Sequence, residues 1–435
     1  MREALIIMLL STGAQAQIDV SVTVDFGEDV GRNLGTLLEA RDADGRLVFG
    51  AGFAGSYNTH HRCERHKLQF FIRPSEDTRA YTMEPLPPVT TDSGAYAYDL
   101  GSGVYARGGG KTHGTVRQWD NEAGDWIDAE NDPGHYCATV RGKTLAWVGE
   151  RILYDGSVIL DAPEKGRRVS VYYGNGHLYF YHRIDDEDFN SIVAVPWSPY
   201  ADDLTVDMSA AVVLEIPFIK EFPYAWGQLG GDVLNCSNWG GVYVFNGRRW
   251  RVPVEANEKT SYQIYSMINH YDKLYMAQYP TGRLLVWDGT EVTDSGDWPP
   301  VPPGASPSAR EAQSSMIYRG ELMVGVWPWA ELWRHNPETE AWDLLQRMFT
   351  HPDLHDVPVH SYEPEAVAAG LVMNELGQRL TTMTPIDDWM LITTSSKGGA
   401  TYDAGELDFL TPEQRADYGA NYRMKMPGNL AGVIE

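Results

Sequence analysis

Two histidines, an arginine and a tyrosine carry the most specific chemistry in this sequence: His113, in Gly108-Gly109-Gly110-Lys111-Thr112-His113-Gly114, then His135, Arg183 and Tyr224. Such a set suits β-elimination from a uronic acid. The proton alpha to a carboxylate is feebly acidic, so its removal needs the carboxylate charge neutralised by arginine or by a hydrogen-bonding histidine. A tyrosine or histidine then takes that proton, and another returns one to the departing glycosidic oxygen. The competing reading is that each histidine only hydrogen-bonds backbone within a loop. Tyr181, His182, Asn238, Trp239, Tyr265, Tyr279 and Arg283 make the expected substrate-binding set.

A second constellation is Asn58-Thr59-His60-His61-Arg62-Cys63-Glu64-Arg65-His66. On a strand His61 and Cys63 share one face, so with His66 brought in by a turn they form a candidate zinc site. A polar strand edge is the alternative. Asp185-Asp186-Glu187-Asp188, and Asp125, Asp128, Glu130 and Asp132, are either calcium ligands or solvated acidic turns. The pair His351 and His355 is flanked by prolines and lacks the glutamate of a helical metalloprotease motif. Elimination itself needs no cofactor; zinc or calcium would be structural.

The elements that must hold these residues are short strands. An apolar run, an aromatic and an Asp/Asn-Gly-like turn recur, as in Val116-Arg117-Gln118-Trp119-Asp120, Ile152-Leu153-Tyr154-Asp155-Gly156 and Leu285-Val286-Trp287-Asp288-Gly289. The aromatics at 119, 154, 197, 245, 287 and 333 are separated by 35, 43, 48, 42 and 46 residues. A period in the forties built only of strands implies propeller blades. Arg141-Gly142, Tyr271-Asp272 and Arg319-Gly320 read as tight turns into a second strand. The expectation is an all-β chain, a β-propeller of about seven four-stranded blades; a regular β-sandwich is the alternative. Leu410-Thr411-Pro412-Glu413-Gln414-Arg415 reads as a short capped helix.

Propeller strands alternate in direction. The starts of innermost strands (A) and the loops between the second and third strands (B–C) therefore share one face. His113 falls in a B–C loop, His135 and Tyr224 begin A strands, and His182 and Arg183 end a B strand. His270 and His335 fall in turns on the opposite face.

In architecture and residue spacing across residues 45 to 400, the chain resembles the secreted seven-bladed propeller lyases that cleave ulvan, a sulfated rhamnose–uronate polymer. The resemblance implies that His113 and His135 are the histidine pair, Arg183 the carboxylate-binding arginine and Tyr224 a catalytic tyrosine, with Tyr181 a second tyrosine. It implies an anionic polysaccharide as substrate. Two other classes fit a propeller: a non-catalytic module binding glycan or protein through Trp226, Trp239, Trp327 and Trp329, and a glycoside hydrolase, which needs a carboxylate pair over the channel.

The 435 residues carry 60 acidic and 35 basic side chains, a net charge of -25, which argues against nucleic acid or an anionic membrane as partner. Three cysteines exclude a disulfide scaffold. Met1-Arg2-Glu3, the apolar run from Ala4 to Leu10 and Ala14-Gln15-Ala16 read as a secretory signal peptide. The expected organisation is a leader over 1–16, a catalytic propeller over 17–402 and a helix with tail over 403–435, secreted or periplasmic and monomeric.

Overall fold

The computed structural model describes residues 4–6, 20–22, 36–53, 56–57, 62–63, 68–72, 80–89, 94–100, 103–108, 115–132, 135–259, 263–296, 298–307, 310–336, 338–354, 359–386, 388–396, 408–427 and 429–431. Five consecutive antiparallel four-stranded sheets follow the sequence repeat. Blade I runs from Ala95–Asp99 to Asp125–Asp128. Blade II runs from His135–Val140 to Ser157–Leu160, and blade III from Arg167–Gly174 to Val212–Glu215. Blade IV spans Pro223–Leu229 to Trp250–Val254, and blade V spans Gln263–His270 to Val292–Asp294. Blade VI follows, from Glu311–Tyr318 to Ala341–Arg347. Trp119, Tyr154, Phe245, Trp287 and Trp333 each lie on a third strand, so the repeat marks the blades. Turns of the primed type, which suit the twist of a hairpin, join A to B: Arg141 and Gly142 have φ 54 and 73, Arg319 and Gly320 have φ 56 and 69.

Blade VII is assembled from both ends of the chain. Gln378–Ile386, Trp389–Ser396 and Asn421–Lys425 supply three strands, and Thr82–Leu86, which precedes blade I, pairs as the fourth. The packing closes the ring. Separate apolar cores sit between successive blades, for example Tyr173 with Val140 between II and III, Trp226 with Tyr179 between III and IV, and Leu391 with Ala97 between VII and I. Further cores join I to II, IV to V, V to VI and VI to VII, which makes seven blades.

The segment expected as a C-terminal tail is therefore part of the propeller. Its helix, Pro412–Ala416, carries the expected capping box between Thr411 and Gln414. Beyond it Asn421–Lys425 enters blade VII, and Asn429–Ala431 joins an eighth sheet with Thr36–Arg41, Leu47–Phe53 and Leu68–Ile72. That sheet packs beneath blades V and VI, on the side of the A–B turns. Tyr271 Oη donates to Glu39 Oε1 at 2.9 Å, and a Cβ on Gly320 would meet the Phe71 ring at 2.9 Å. A hairpin from the same sheet enters the ring. Ser56 and Tyr57 pair with Met316 and Ser315 on the innermost strand of blade VI, while Arg62–Cys63 lies against the innermost strands of blades I and II. The propeller axis thus carries a hairpin of the chain itself. Elsewhere Ala4–Ile6, within the segment read as a leader, pairs with Val20–Val22, which lies beyond it. No helix among the described residues is long and apolar enough to cross a membrane.

Candidate functional site at the propeller mouth

The face bearing the A-strand starts is shaped by a recurring irregularity. In blades II to VII the pairing of strand A with strand B slips near its start. Such bulges turn an extra residue out of the ladder and re-aim its side chain. In blade IV the slip falls between Pro223 and Ala225, which makes Tyr224 the extra residue. In blade V it falls between Ile264 and Ser266, which makes Tyr265 the extra residue. Neighbouring blades then bring the two rings together at 5.1 Å, edge to face. Phe222, exposed, lies 5.4 Å from Tyr224, and Tyr279 lies 6.4 Å from Tyr265, which extends an aromatic row along blades IV and V.

Beneath the row is a buried ionic belt. Arg379, second on strand A of blade VII, contacts Glu311, first on strand A of blade VI, at 2.8 Å. Tyr265 Oη donates to Gln263 Oε1 at 2.8 Å and to Glu311 Oε1 at 3.3 Å. The guanidinium of Arg379 sits 5.9 Å from the Tyr265 ring centre. Burial opposes the Arg379 charge, but Glu311 outweighs it with help from Tyr96 and Tyr265, so its pKa is raised. Burial first, then the Glu311 charge, pushes the Tyr265 phenol well above its ordinary value, and Tyr224 is hydrogen-bonded to it. Tyr265 is therefore a neutral phenol in the neutral pH range.

Three sequence-derived site residues, Tyr224, Tyr265 and Tyr279, come together here. Glu311, Arg379, Gln263 and Tyr96 were missed. Their signal lay in the repeat, since each opens a strand A at or beside the place Tyr224 holds in blade IV. His135 opens strand A of blade II on the same face, and only its backbone is described. His113, His61 and His66 lie outside the described residues, and Cys63 is described by its backbone alone.

Arg183 ends strand B of blade III, as the sequence implied, and its guanidinium is held by Asp185. His182 bonds through Nε2 to the Lys165 carbonyl at 2.9 Å. Arg283 pairs with Asp294 at 3.0 Å and lies over Trp298. Two substrate-binding expectations are corrected. Tyr181 is 1% exposed and donates to Asn235 Oδ1 at 2.7 Å, because its strand position points it into the core between blades III and IV. Asn238 braces the loop before blade IV: its Oδ1 accepts from the Phe222 amide at 3.0 Å, and its Nδ2 donates to the Lys220 carbonyl. Trp239 packs edge-on against Phe218. Trp226, Trp327 and Trp329 are buried, so they form no recognition surface.

Among the described residues no three His, Cys, Asp or Glu side chains converge as a metal site. Asp185 and Glu187 pair instead with Arg167 and Lys165, and Asp128 and Asp132 with Arg117 and Arg107. Cys236 is buried with its thiol pKa pushed up by burial, which makes it an inert core residue. His351 Nδ1 lies 3.1 Å from Asp417 Oδ2, tying the connection before blade VII to the loop within it.

No family model and no curated protein matches this chain. Solved structures match it over most of its length. The computationally designed Ika8 protein is 10% identical, with 91% of this chain and 99% of that one covered and a TM-score of 0.38. BamB from Moraxella catarrhalis is 10% identical over 91% and 98% at a TM-score of 0.36. YCF48 bound to D1 peptide is 12% identical over 81% and 99% at a TM-score of 0.26. At these identities the likeness concerns fold alone.

Proposed function

We propose that the mouth of this propeller takes up a uronate-containing polysaccharide, ulvan first among them, and cleaves it by β-elimination outside the cell that secretes it. One observation carries the reading. His135, Arg183 and Tyr224 belong to strand ends on the same face of three consecutive blades, II, III and IV. Arg183 has the charge to hold the substrate carboxylate. Its partner Asp185 is half-exposed, and ion pairs that open to water contribute little, so a substrate carboxylate can replace it. Tyr224, half-buried within the aromatic row between Phe222 and Tyr265, is the proton-transfer group, with His135 and His113 assisting. The aromatic row offers flat apolar faces to sugar rings.

A second reading is a glycan-binding propeller without chemistry. Its support is that the guanidiniums of Arg183, Arg283 and Arg379 are each already paired with a carboxylate. One experiment separates the two. Elimination leaves a double bond conjugated to the carboxylate, which absorbs in the ultraviolet, whereas binding and hydrolysis leave none. Incubation with ulvan and other uronate polymers should produce that chromophore, and Tyr224→Phe or His135→Ala should reduce its rate by about 10²- to 10⁴-fold. Polymer binding with no chromophore would install the second reading.

A further inference from the structure

The connection from blade VI to blade VII and the loop between the second and third strands of blade VII lie on the face of the mouth, and they pack on each other. Phe349 and Tyr418 meet edge to face at 5.1 Å, and Tyr362 and Phe409 at 5.4 Å. The short helix Glu363–Ala368 belongs to this layer. Gly370, with φ 73, ends it in a Schellman turn. The Gly370 amide donates to the Val367 carbonyl at 3.1 Å, and the Leu371 amide to the Ala366 carbonyl at 2.8 Å. That turn holds Ala366 and Leu371 against the core between blades VI and VII. It leaves Val367 and Val372 facing outward, 59% and 62% exposed, the highest values of any large apolar side chain among the described residues.

Four exposed apolar side chains, Val367, Val372, Met373 and Phe409, thus share one small layer. Elsewhere such residues are spread out: Val158, Val213 and Val254 stand on the outermost strands of three different blades. A cluster of this kind marks a contact surface. Charge selects what covers it. Residues 363–376 and 408–417 carry six acids, Glu363, Glu365, Glu375, Asp408, Glu413 and Asp417, against a single base, Arg415. The whole chain has 60 acids to 35 bases, so the layer is far more one-sided than the rest. It repels an anionic membrane and a uronate polymer. A second copy pairing through the same patch would set these acids against their own counterparts. A protein segment that presents apolar side chains between lysines or arginines complements both features of the layer.

We propose that this layer, beside the mouth at blades VI and VII, is a docking surface for a cationic, amphipathic segment of a partner protein. The partner is thereby held on the face where the substrate of the proposed reaction enters. The docking itself does not depend on that reaction.

The test measures binding of a synthetic helical peptide of leucine and lysine to the full chain, by titration calorimetry at physiological salt. Val367→Ser with Val372→Ser and Met373→Ser should weaken binding about tenfold or more. All three side chains are exposed, so the variant should fold, and its thermal midpoint verifies that. Val158→Ser with Val213→Ser removes apolar surface elsewhere and should leave binding unchanged. Glu365→Gln with Glu413→Gln should weaken it several-fold and lessen its salt dependence. Oligolysine, drawn to the net charge of -25 wherever it falls, should bind wild type and triple variant alike. No binding of the leucine–lysine peptide, or equal affinity for wild type and triple variant, overturns the proposal. Equal binding of a leucine–glutamate peptide overturns it as well. A dimer, or binding to phosphatidylglycerol vesicles, that the triple variant abolishes would give the patch to a second copy or to a membrane, and overturns it too. None of these readouts involves ulvan, so a chain that makes no unsaturated product refutes elimination and leaves the docking surface standing.

Discussion

Asn421 stands opposite Leu86 in an antiparallel ladder, and its Nδ2 reaches the Pro87 carbonyl at 3.4 Å across 334 residues of sequence. This pairing locks the ring, because blade VII has no fourth strand unless Thr82–Leu86 arrives from the other end of the chain. The same C-terminal segment supplies Met424, fully buried in the core between blades VI and VII. Removing residues 421–435 should lower the guanidinium midpoint and expose 82–86 to protease. Met424→Ala should cost about 2–5 kcal/mol by leaving a cavity. A truncated chain with the midpoint of the full chain would show that the lock contributes nothing.

Arg310 and Glu331 form the most deeply buried ion pair of blade VI, with both side chains at 0% exposure and 2.6 Å apart. Arg310 also donates to the carbonyls of Pro299 and Pro300, and Trp333 Nε1 donates to the same Glu331 oxygen at 2.6 Å. Burial raises the Glu331 pKa despite these partners. Either half alone would be a stranded charge. Glu331→Gln should destabilise by about 3–5 kcal/mol in chemical denaturation, and Arg310→Met with Glu331→Leu by clearly less. Equal losses for the single and double variants would contradict this.

The blades were legible because a third-strand aromatic followed by a turn is a local signal that survives loops of varied length. Trp119 and Trp287 both sit where the spacing put them. Blade VII was not legible. Its third strand, Asn421–Lys425, carries no such turn motif and comes 24 residues after its second, Trp389–Ser396. The eighth sheet and the axial hairpin depend on pairings distant in sequence, which periodicity does not encode. At the mouth, the strand-opening place of Tyr224 was legible, but nothing in the sequence singled out Glu311 and Arg379. Their partnership exists only once blades VI and VII are neighbours.

His360 gives stability a pH dependence of definite sign. It is 4% exposed, in the connection before blade VII, and burial holds its pKa below the ordinary histidine value, with Glu363 opposing. Between the depressed folded pKa and the unfolded value near about 6.5, the unfolded chain binds a proton that the folded chain does not. Stability should therefore fall as pH drops below about 6.5, and level off below the folded pKa. His360→Gln should flatten this part of the profile. Thermal midpoints of both proteins across the acidic range would reveal it, and an unchanged slope in the variant would rule His360 out as the cause.

Asp185 offers the sharpest handle on how the mouth treats charge. It neutralises Arg183 and also lies 3.5 Å from Arg167, so two guanidiniums of blade III share one half-exposed carboxylate. If Arg183 receives the uronate carboxylate, Asp185 competes with the substrate for it. Asp185→Asn removes the competitor and leaves the side-chain shape nearly unchanged. KM for a uronate polymer should then fall several-fold, most at low salt, where exposed charges are least screened. Arg183→Ala should raise KM and erase the effect of Asp185→Asn, because the competition needs the arginine. A neutral glycan should be indifferent to both. Measured affinities that do not depend on either residue, at any ionic strength, would remove Arg183 from the site and with it the carboxylate-neutralising step on which elimination depends.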